Sequence, residues 1–262
     1  MATLTEDRNL LLAIDAGNTQ TVIGVYDGAK LLRMWRIETN KAHTSDELRC
    51  KLLGLIAPES FSEVQVANAV LASVVPTLTS AWKRALAGMG IDALVCNAET
   101  AGNLFATTYD NPSEIGADRV ADAVAARALY GAPVVVVDFG TATNVEVIDA
   151  DGRFVGGIIA PGLETSASAL VAHATKLPAI ELADPGAAIG RNTVHAMQSG
   201  IVYGEADRVD GFVRRIFAEL GYSTRVIATG GLATVMASLC STVTDVNQEL
   251  TLEGLRLLFE NR

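Results

Sequence analysis

Two unbroken apolar runs, Leu10–Ile14 and Val134–Val137, each stop at an aspartate. Both are strand-length, and no window approaches the 18 or so consecutive apolar residues that a membrane helix needs. A repeat begins at each of these aspartates. Asp15-Ala-Gly-Asn-Thr-Gln-Thr-Val-Ile-Gly-Val-Tyr-Asp27-Gly28 is echoed by Asp138-Phe-Gly-Thr-Ala-Thr-Asn-Val-Glu-Val-Ile-Asp-Ala-Asp151-Gly152. Each copy runs Asp-x-Gly, a Thr/Asn-rich turn, then a β-branched segment ending in Asp-Gly. That ending is a hairpin signal, because type I′ turns need positive φ at both central residues. Third strands over Leu31–Ile37 and Phe154–Ile159 complete a three-stranded antiparallel meander in each half.

Helices and strands then alternate. Thr44–Ala57 has helical periodicity, with Thr44 and Glu47 spaced as a capping box. Val64–Val75 reads as a strand, Thr77–Ala87 as a helix, Ala93–Cys96 as a short strand and Ala117–Leu129 as a helix. In the second half, Thr165–Ala174 and Thr193–Leu220 read as helices, Arg225–Ala228 as a buried strand, and Leu232–Leu239 and Glu249–Glu260 as helices. A meander and then βα units, twice over, predict duplicated α/β domains facing each other. The boundary falls near residues 112–133, dividing the chain into 1–117 and 118–262.

Length and composition agree with two domains or one large one. The chain has 262 residues, 50 % hydrophobic and 19 % charged, with a mean hydropathy of +0.30. That is enough apolar material for a sizeable core. The balance is acidic, net −10 and pI near 4.8. No basic run of the kind nucleic-acid binders carry is present, so no nucleic-acid partner is expected, and an anionic substrate needs local neutralisation. Cys50, Cys96 and Cys240 are widely spaced, and no CxxC or Cys/His cluster suggests a disulfide framework or structural zinc. Met1–Asn9 is polar and lacks a signal peptide's apolar core, so a cytoplasmic protein without a membrane partner is expected.

The candidate chemistry sits at the two strand ends. Gly17 lets the backbone approach a ligand closely, and N–H groups with the Asn18, Thr19 and Thr21 side chains can cradle phosphate oxygens. Asp15 is then positioned to hold a phosphate-bound Mg²⁺. Alone, this segment reads more readily as an Asx-turn in a hairpin. Its repetition at Asp138-x-Gly140-Thr141-Ala142-Thr143 favours a phosphate site. A third turn, Ala228-Thr229-Gly230-Gly231, lies between a strand and a helix, where it serves either as a helix entry or as a backbone surface for a flat ring.

Two phosphate loops in duplicated meanders plus a Gly-Gly loop resemble the sugar kinase/Hsp70/actin superfamily. Within it the chain resembles the type III pantothenate kinases nearly end to end. The segments that carry the resemblance are Ile14–Val22, Tyr109-Asp-Asn-Pro-Ser-Glu-Ile-Gly-Ala-Asp-Arg119, Asp138–Thr143, Gly156-Gly-Ile-Ile-Ala-Pro-Gly162, Ile189-Gly-Arg-Asn-Thr193 and Met197-Gln-Ser-Gly200. The resemblance implies two ribonuclease H-like domains (the actin-like ATPase fold) with a cleft between them. It implies ATP-dependent phosphorylation of pantothenate, with Asp118 as the base that takes the hydroxyl proton; the alternative on the same fold is a non-catalytic nucleotide-binding regulatory protein. It carries Tyr109, Gly116, Ala117, Asp118, Arg119 and Thr193 over as pantothenate contacts. The residues carried over for ATP are Asp15, Ala16, Gly17, Asn18, Thr19, Gln20, Thr21, Val22 and Thr141. Asp138 becomes the ligand of a monovalent cation, K⁺ or NH₄⁺, beside Mg²⁺ near Asp15, and a homodimer is implied.

By itself, an aspartate at the position of Asp118 is more commonly a complement to a helix dipole. One departure stands out: Asn144-Val145-Glu146 replaces the family's usual Thr-Phe-Asp, which bears on ATP affinity and cation preference. His43, His173 and His195 lack ligand or triad spacing. Gly200 and Gly204 read as a close helix-packing pair that could serve a subunit interface.

Overall fold

In the computed structural model, residues 10–59 and 66–262 are described. The expected strand start at Val64, and the Met1–Asn9 segment, lie outside them. The chain forms two compact units. One comprises Met1–Phe105, Asp110–Ala125 and Thr251–Arg262; the other comprises Ala106–Tyr109 and Ala126–Leu250.

The first unit carries a five-stranded sheet. Its antiparallel meander is β1 (Leu10–Ala16), β2 (Gln20–Asp27) and β3 (Lys30–Glu38), and β4 (Val66–Ser73) and β5 (Asp92–Val95) are added in parallel beyond β1. β1 and β4, at the centre, are nearly wholly buried, as expected of strands covered on both faces. Edge strand β3 has no fully buried residue and exposes Lys30, Arg33, Arg36 and Glu38. Helix α1 (Ser45–Ile56) begins at the anticipated capping box: the Thr44 hydroxyl accepts from the Glu47 N–H, and the Glu47 carboxylate accepts from the Thr44 N–H at 2.8 Å. With α2 (Pro76–Ala87), whose Pro76 sits where a helix needs no N–H, it covers one sheet face. Leu12, Ile14, Ile23, Leu52, Leu71 and Trp82 pack there into one core.

The second unit repeats the plan. β7 (Val134–Phe139), β8 (Ala142–Ile148) and β9 (Arg153–Pro161) form the meander, and β10 (Arg225–Thr229) and β11 (Asp245–Val246) continue in parallel beyond β7. A two-residue strand, β6 (Ala106–Thr107), adds to the far edge beside β9. Helix α3 (Ala117–Tyr130) begins in the first unit and ends in the second. Helix α6 (Gly204–Leu220) lays Val209, Val213 and Ile216 on Val135, Val137, Val145 and Val147. α4 (Leu163–His173), α5 (Thr193–Gln198) and α7 (Ala233–Ala237) are shorter, and α8 (Leu250–Glu260) closes the first unit.

Four features depart from the sequence expectation. The first hairpin turns on Gly28 and Ala29 rather than on Asp27-Gly28, because Asp27 pairs with Lys30; Gly28 has a positive φ of 56°. The second hairpin has a four-residue loop, in which the Asp149 carboxylate accepts from the N–H groups of Asp151 and Arg153. A side-chain acceptor thus does what an Asp-Gly type I′ turn would do. The long helix expected over Thr193–Leu220 contains a π-helical turn at Ser199–Tyr203 between α5 and α6. Among the described residues, nothing outside the helix's own backbone lies within 4 Å of a Cβ built on Gly200 or Gly204, so their expected close packing against another helix does not occur among them.

Close packing appears at Gly254 instead. A Cβ there would overlap the Ala121 carbonyl of α3, so α8 seats on α3 only through glycine. Gly254→Ala should therefore lower stability by about 1–3 kcal/mol, the usual cost of overpacking, despite alanine's better helix propensity. Urea unfolding of the two proteins measures the difference.

Candidate active site

The first phosphate turn is three residues long, Gly17–Thr19, between β1 and β2. The Gly17 N–H donates to the Gln20 carbonyl at 3.1 Å, and a Cβ on Gly17 would stand 3.0 Å from that oxygen. Strand pairing sets Asp15 opposite Val22 and Ala16 opposite Thr21. Thr21 is buried, with its hydroxyl 2.7 Å from that of Thr39, and the Thr39 N–H donates to the Thr19 carbonyl at 2.8 Å. Lys41 Nζ donates to Asn18 Oδ1 at 2.9 Å. The turn is thus braced by the segment after β3.

Asp118 lies in the first turn of α3, in the same unit. The approach is fixed by Asn111, which accepts from the Ser113 N–H and hydroxyl, and by a 3₁₀ turn over Pro112–Glu114. Gly116 comes next, and a Cβ there would overlap Asp118 Oδ1. That oxygen accepts from the Arg119 N–H at 2.9 Å. Burial pushes the Asp118 carboxyl above the ordinary aspartate range, outweighing the Arg119 N–H and guanidinium, which pull it down. Ala117 and Arg119 are buried, and Asp118 is partly so. Beneath them the Cys96 thiol donates to the Ala117 carbonyl. Its pKa is driven far up by burial, with Asp15, Asp118 and Asp122 adding negative charge. Asp15 and Asp118 are therefore gathered around one buried thiol.

The second unit holds Tyr109, Asp138, Thr141 and Thr193. Tyr109 packs on Phe154, ring centroids 5.9 Å apart, and the positive φ of Gly156 (133°) leaves a flat surface beside the Tyr109 ring. Thr193 is exposed at the start of α5, after Asn192, which caps that helix by accepting from the His195 N–H. Asp138 ends β7, flanked in register by Asn144 on β8 and Thr229 on β10. Glycines crowd this turn. Gly162 donates to the Thr141 carbonyl at 3.1 Å, and a Cβ on it would overlap the Gly140 carbonyl. Thr165 Oγ1 donates to the same Thr141 carbonyl at 2.6 Å. Gly230, at φ 92°, lies against Asp138 Oδ1 and the Phe139 carbonyl, both of which a Cβ would meet.

The donor sets can be tested against the expected ions. Among the described residues, no group of three or more His, Cys, Asp or Glu could hold a metal. Mg²⁺ commonly takes one or two carboxylates plus phosphates and water, and a single carboxylate such as Asp15 is compatible with that role. The oxygens of Asp138 and Phe139 that converge on Gly230 are hard donors fitting a monovalent cation.

Sequence reading missed a buried network behind the second turn. Thr143 Oγ1 donates to Glu205 Oε1 at 2.6 Å; Arg208 donates to Glu205 Oε2 and to the Pro161 carbonyl. Burial pushes the Glu205 carboxyl up, while Thr143 and Arg208 pull it down. The available signal was a carboxylate on the apolar stripe of Val202, Ala206 and Val209. The substituted pair also has a place: Asn144 stands opposite Asp138, and Glu146 is wholly buried opposite Val136.

Residues 11–215 match the family model described as type III pantothenate kinase. The chain belongs to the type III pantothenate kinase family. It is 44 % identical over 251 residues to a type III pantothenate kinase from Anaeromyxobacter sp. (strain K), covering 96 % of this chain and 99 % of that one. Two solved structures share the fold. The (R)-2-hydroxyglutaryl-CoA dehydratase component A of Acidaminococcus fermentans superposes with a TM-score of 0.56 at 15 % identity, over 96 % of this chain and 97 % of that one. The inorganic polyphosphate/ATP-glucomannokinase of Arthrobacter sp. strain KM gives 0.51 at 14 %, over 97 % and 100 %. The fold is that of the actin-like ATPases and sugar kinases, and membership of the pantothenate kinase family makes the protein an enzyme that uses ATP. No helix among the described residues is long and apolar enough to cross a membrane.

Gly230→Ala should lower both stability and turnover, since a methyl group there meets the Asp138 carboxylate and the Phe139 backbone at a φ of 92° that alanine rarely adopts. Steady-state rates alongside urea unfolding separate the two effects.

Proposed function

We propose that this chain transfers the γ-phosphoryl group of ATP to the primary hydroxyl of pantothenate, giving 4′-phosphopantothenate, the first step toward coenzyme A. The observation that carries the reading is the near-complete match to a type III pantothenate kinase, 44 % identical over 96 % of the chain. It includes an aspartate, Asp118, lodged in a helix's first turn with its carboxyl pKa raised.

Asp118 takes the proton from the hydroxyl as it attacks. Phosphoryl transfer is loose and largely electrostatic, so a modest base that receives its proton late is enough. A raised pKa makes Asp118 a better acceptor than an ordinary aspartate. Arg119 holds the pantothenate carboxylate or a transferring oxygen, and Tyr109, Gly116, Ala117 and Thr193 complete the pantothenate contacts. Asp15–Val22 and Thr141 bind ATP. Asp15 would hold Mg²⁺ with the phosphates, and Asp138 a K⁺ or NH₄⁺ ion; these ions offset negative charge when bound.

A homodimer belongs to the same proposal. Helix α4 buries only Leu163 in the chain and leaves Leu170 40 % exposed. Ile189 and Val194 are also exposed, and Gly200 and Gly204 face open space. Such apolar exposure suits a subunit partner. A cytoplasmic location completes the reading.

Purified protein given ATP, Mg²⁺, K⁺ and pantothenate should release ADP and yield phosphopantothenate by mass spectrometry; ATP hydrolysis without that product would sink the proposal. Asp118→Asn should abolish turnover and still bind ATP. Because the folded-state pKa of Asp118 exceeds its unfolded value, its protonated form is favoured on folding, and that contribution is lost as pH rises through the folded pKa. The Asn variant should therefore be at least as stable as the parent near neutral pH. The turnover of the parent should fall on acidification at a higher pH than the ordinary aspartate value of about 3.9 predicts.

A further inference from the structure

We infer that Arg36, assisted by Lys41, is a phosphate-contacting residue of the first half-site, recognising the terminal phosphates of a nucleoside triphosphate. The inference rests on the reading of Gly17–Thr19 as a phosphate turn and on ATP as the ligand there.

The turn itself is short of positive charge. Asp15 to Val22 contains one carboxylate and no cation, in a chain of net charge −10. Several of its donors are already engaged: the Gly17 N–H on Gln20, and the Thr21 hydroxyl with Thr39. A triphosphate held by the remaining groups would meet an acidic surface, so cations must come from neighbouring strands.

Strand register supplies one. Asp15 on β1 pairs with Val22 on β2, and Val22 pairs with Arg36 on β3. Directly paired residues point to the same sheet face, so these three form one row across the sheet. Ile14, Ala16, Ile23 and Ile37, which alternate with them, turn toward the core under α1 and α2. Adjacent strands lie about 4.8 Å apart, which sets Arg36 about 10 Å from Asp15 at the backbone. An arginine side chain spans most of that gap, over a small valine. A hollow of about 200 Å³ is lined by Thr19, Gln20, Arg36, Ile37 and Glu38, joining Arg36 to the rim of the turn. Arg36 forms no ion pair among the described residues, although Glu38 lines the same hollow. Arg33, on the same strand, is instead paired with Glu59 at 2.6 Å.

Lys41 approaches from the tip. Its ammonium has three donors and gives one to Asn18 Oδ1, which anchors it on the turn. The guanidinium fork suits two phosphate oxygens at once, and the ammonium acts as a point charge beside it.

The test is direct binding of ATP, ADP and AMP to the full chain by calorimetry at two salt concentrations, using the parent, Arg36→Gln, Arg36→Lys and Lys41→Gln. Arg36→Gln should weaken ATP by ~10-fold or more, the scale of one charge-assisted contact, and change AMP by less than about two-fold. Lys41→Gln should act in the same direction more weakly, and Arg36→Lys should recover part of the loss. The salt dependence of ATP binding should flatten in Arg36→Gln. Equal weakening of ATP and AMP, unchanged ATP affinity, or no ATP binding by the parent overturns the inference. A higher KM for pantothenate with an unchanged KM for ATP would overturn it too. These outcomes are independent of the acceptor: a parent that binds ATP and discriminates as stated, yet makes no phosphopantothenate, refutes the proposed reaction and leaves this inference standing.

Discussion

The turn between β7 and β8 depends on approaches that leave no room for a side chain at Gly162 or Gly230. Gly162 sits against the carbonyls of Gly140 and Thr141, and Gly230 against the carboxylate of Asp138 and the Phe139 carbonyl. Each approach is closer than any Cβ tolerates. Carbonyl and carboxylate oxygens brought together this way repel one another unless donors or a cation answer them. The Gly162 N–H and the Thr165 hydroxyl both answer at Thr141. At Phe139, the carbonyl is answered by the Leu232 N–H at 3.4 Å. Packing and electrostatics at this turn are one constraint.

The first turn solves the same problem differently. It carries the same Asp-x-Gly plan, but its bracing comes from outside the meander, through Thr39 and Lys41. Its counterpart is braced from α6 by Glu205 and Arg208. Duplicated segments have therefore kept their strand pairing while acquiring unrelated supports. The strand plan is fixed by alternation and by the buried central strands. The supports are set by single polar side chains, which are free to differ between the copies.

That difference also explains what could be read from the sequence. Both meanders, the strands β4, β5 and β10 beyond them and the capping box at Thr44 were legible because each depends on periodicity or on a local motif; the two-residue strand β11, set by its pairing with Ile227 and Ala228, was not. The π-helical turn at Ser199–Tyr203 was not legible, since the helical periodicity continues through it. Strand β6 was missed because Ala106 and Thr107 owe their conformation to pairing with Arg153 and Phe154, nearly fifty residues away. The Asp-Gly hairpins were located correctly, but their turns were not, because Asp149 accepts N–H bonds that an Asp-Gly type I′ turn does not make. The candidate site divides the same way. The strand-end aspartates stand out in sequence, and Glu205 leaves a weaker signal as a carboxylate on an apolar helix stripe; which glycines press on the aspartates is recognisable only once the chain is folded.

The departure at Asn144 and Glu146 gains meaning from the register. Asn144 is the direct cross-strand neighbour of Asp138, on the side opposite Thr229. An amide there brings both a donor and an acceptor to the aspartate, where a threonine brings one hydroxyl. A donor aimed at the carboxylate lowers its demand for a cation; an acceptor aimed beside it adds an oxygen to the set. Glu146 is two residues on, wholly buried and opposite Val136. Its longer arm reaches further along the same face than an aspartate would. A buried carboxylate at that position adds negative potential around Asp138 wherever it is ionised. Asn144 and Glu146 bear on one carboxylate from one strand, so the cation proposed for Asp138 must be judged against both together.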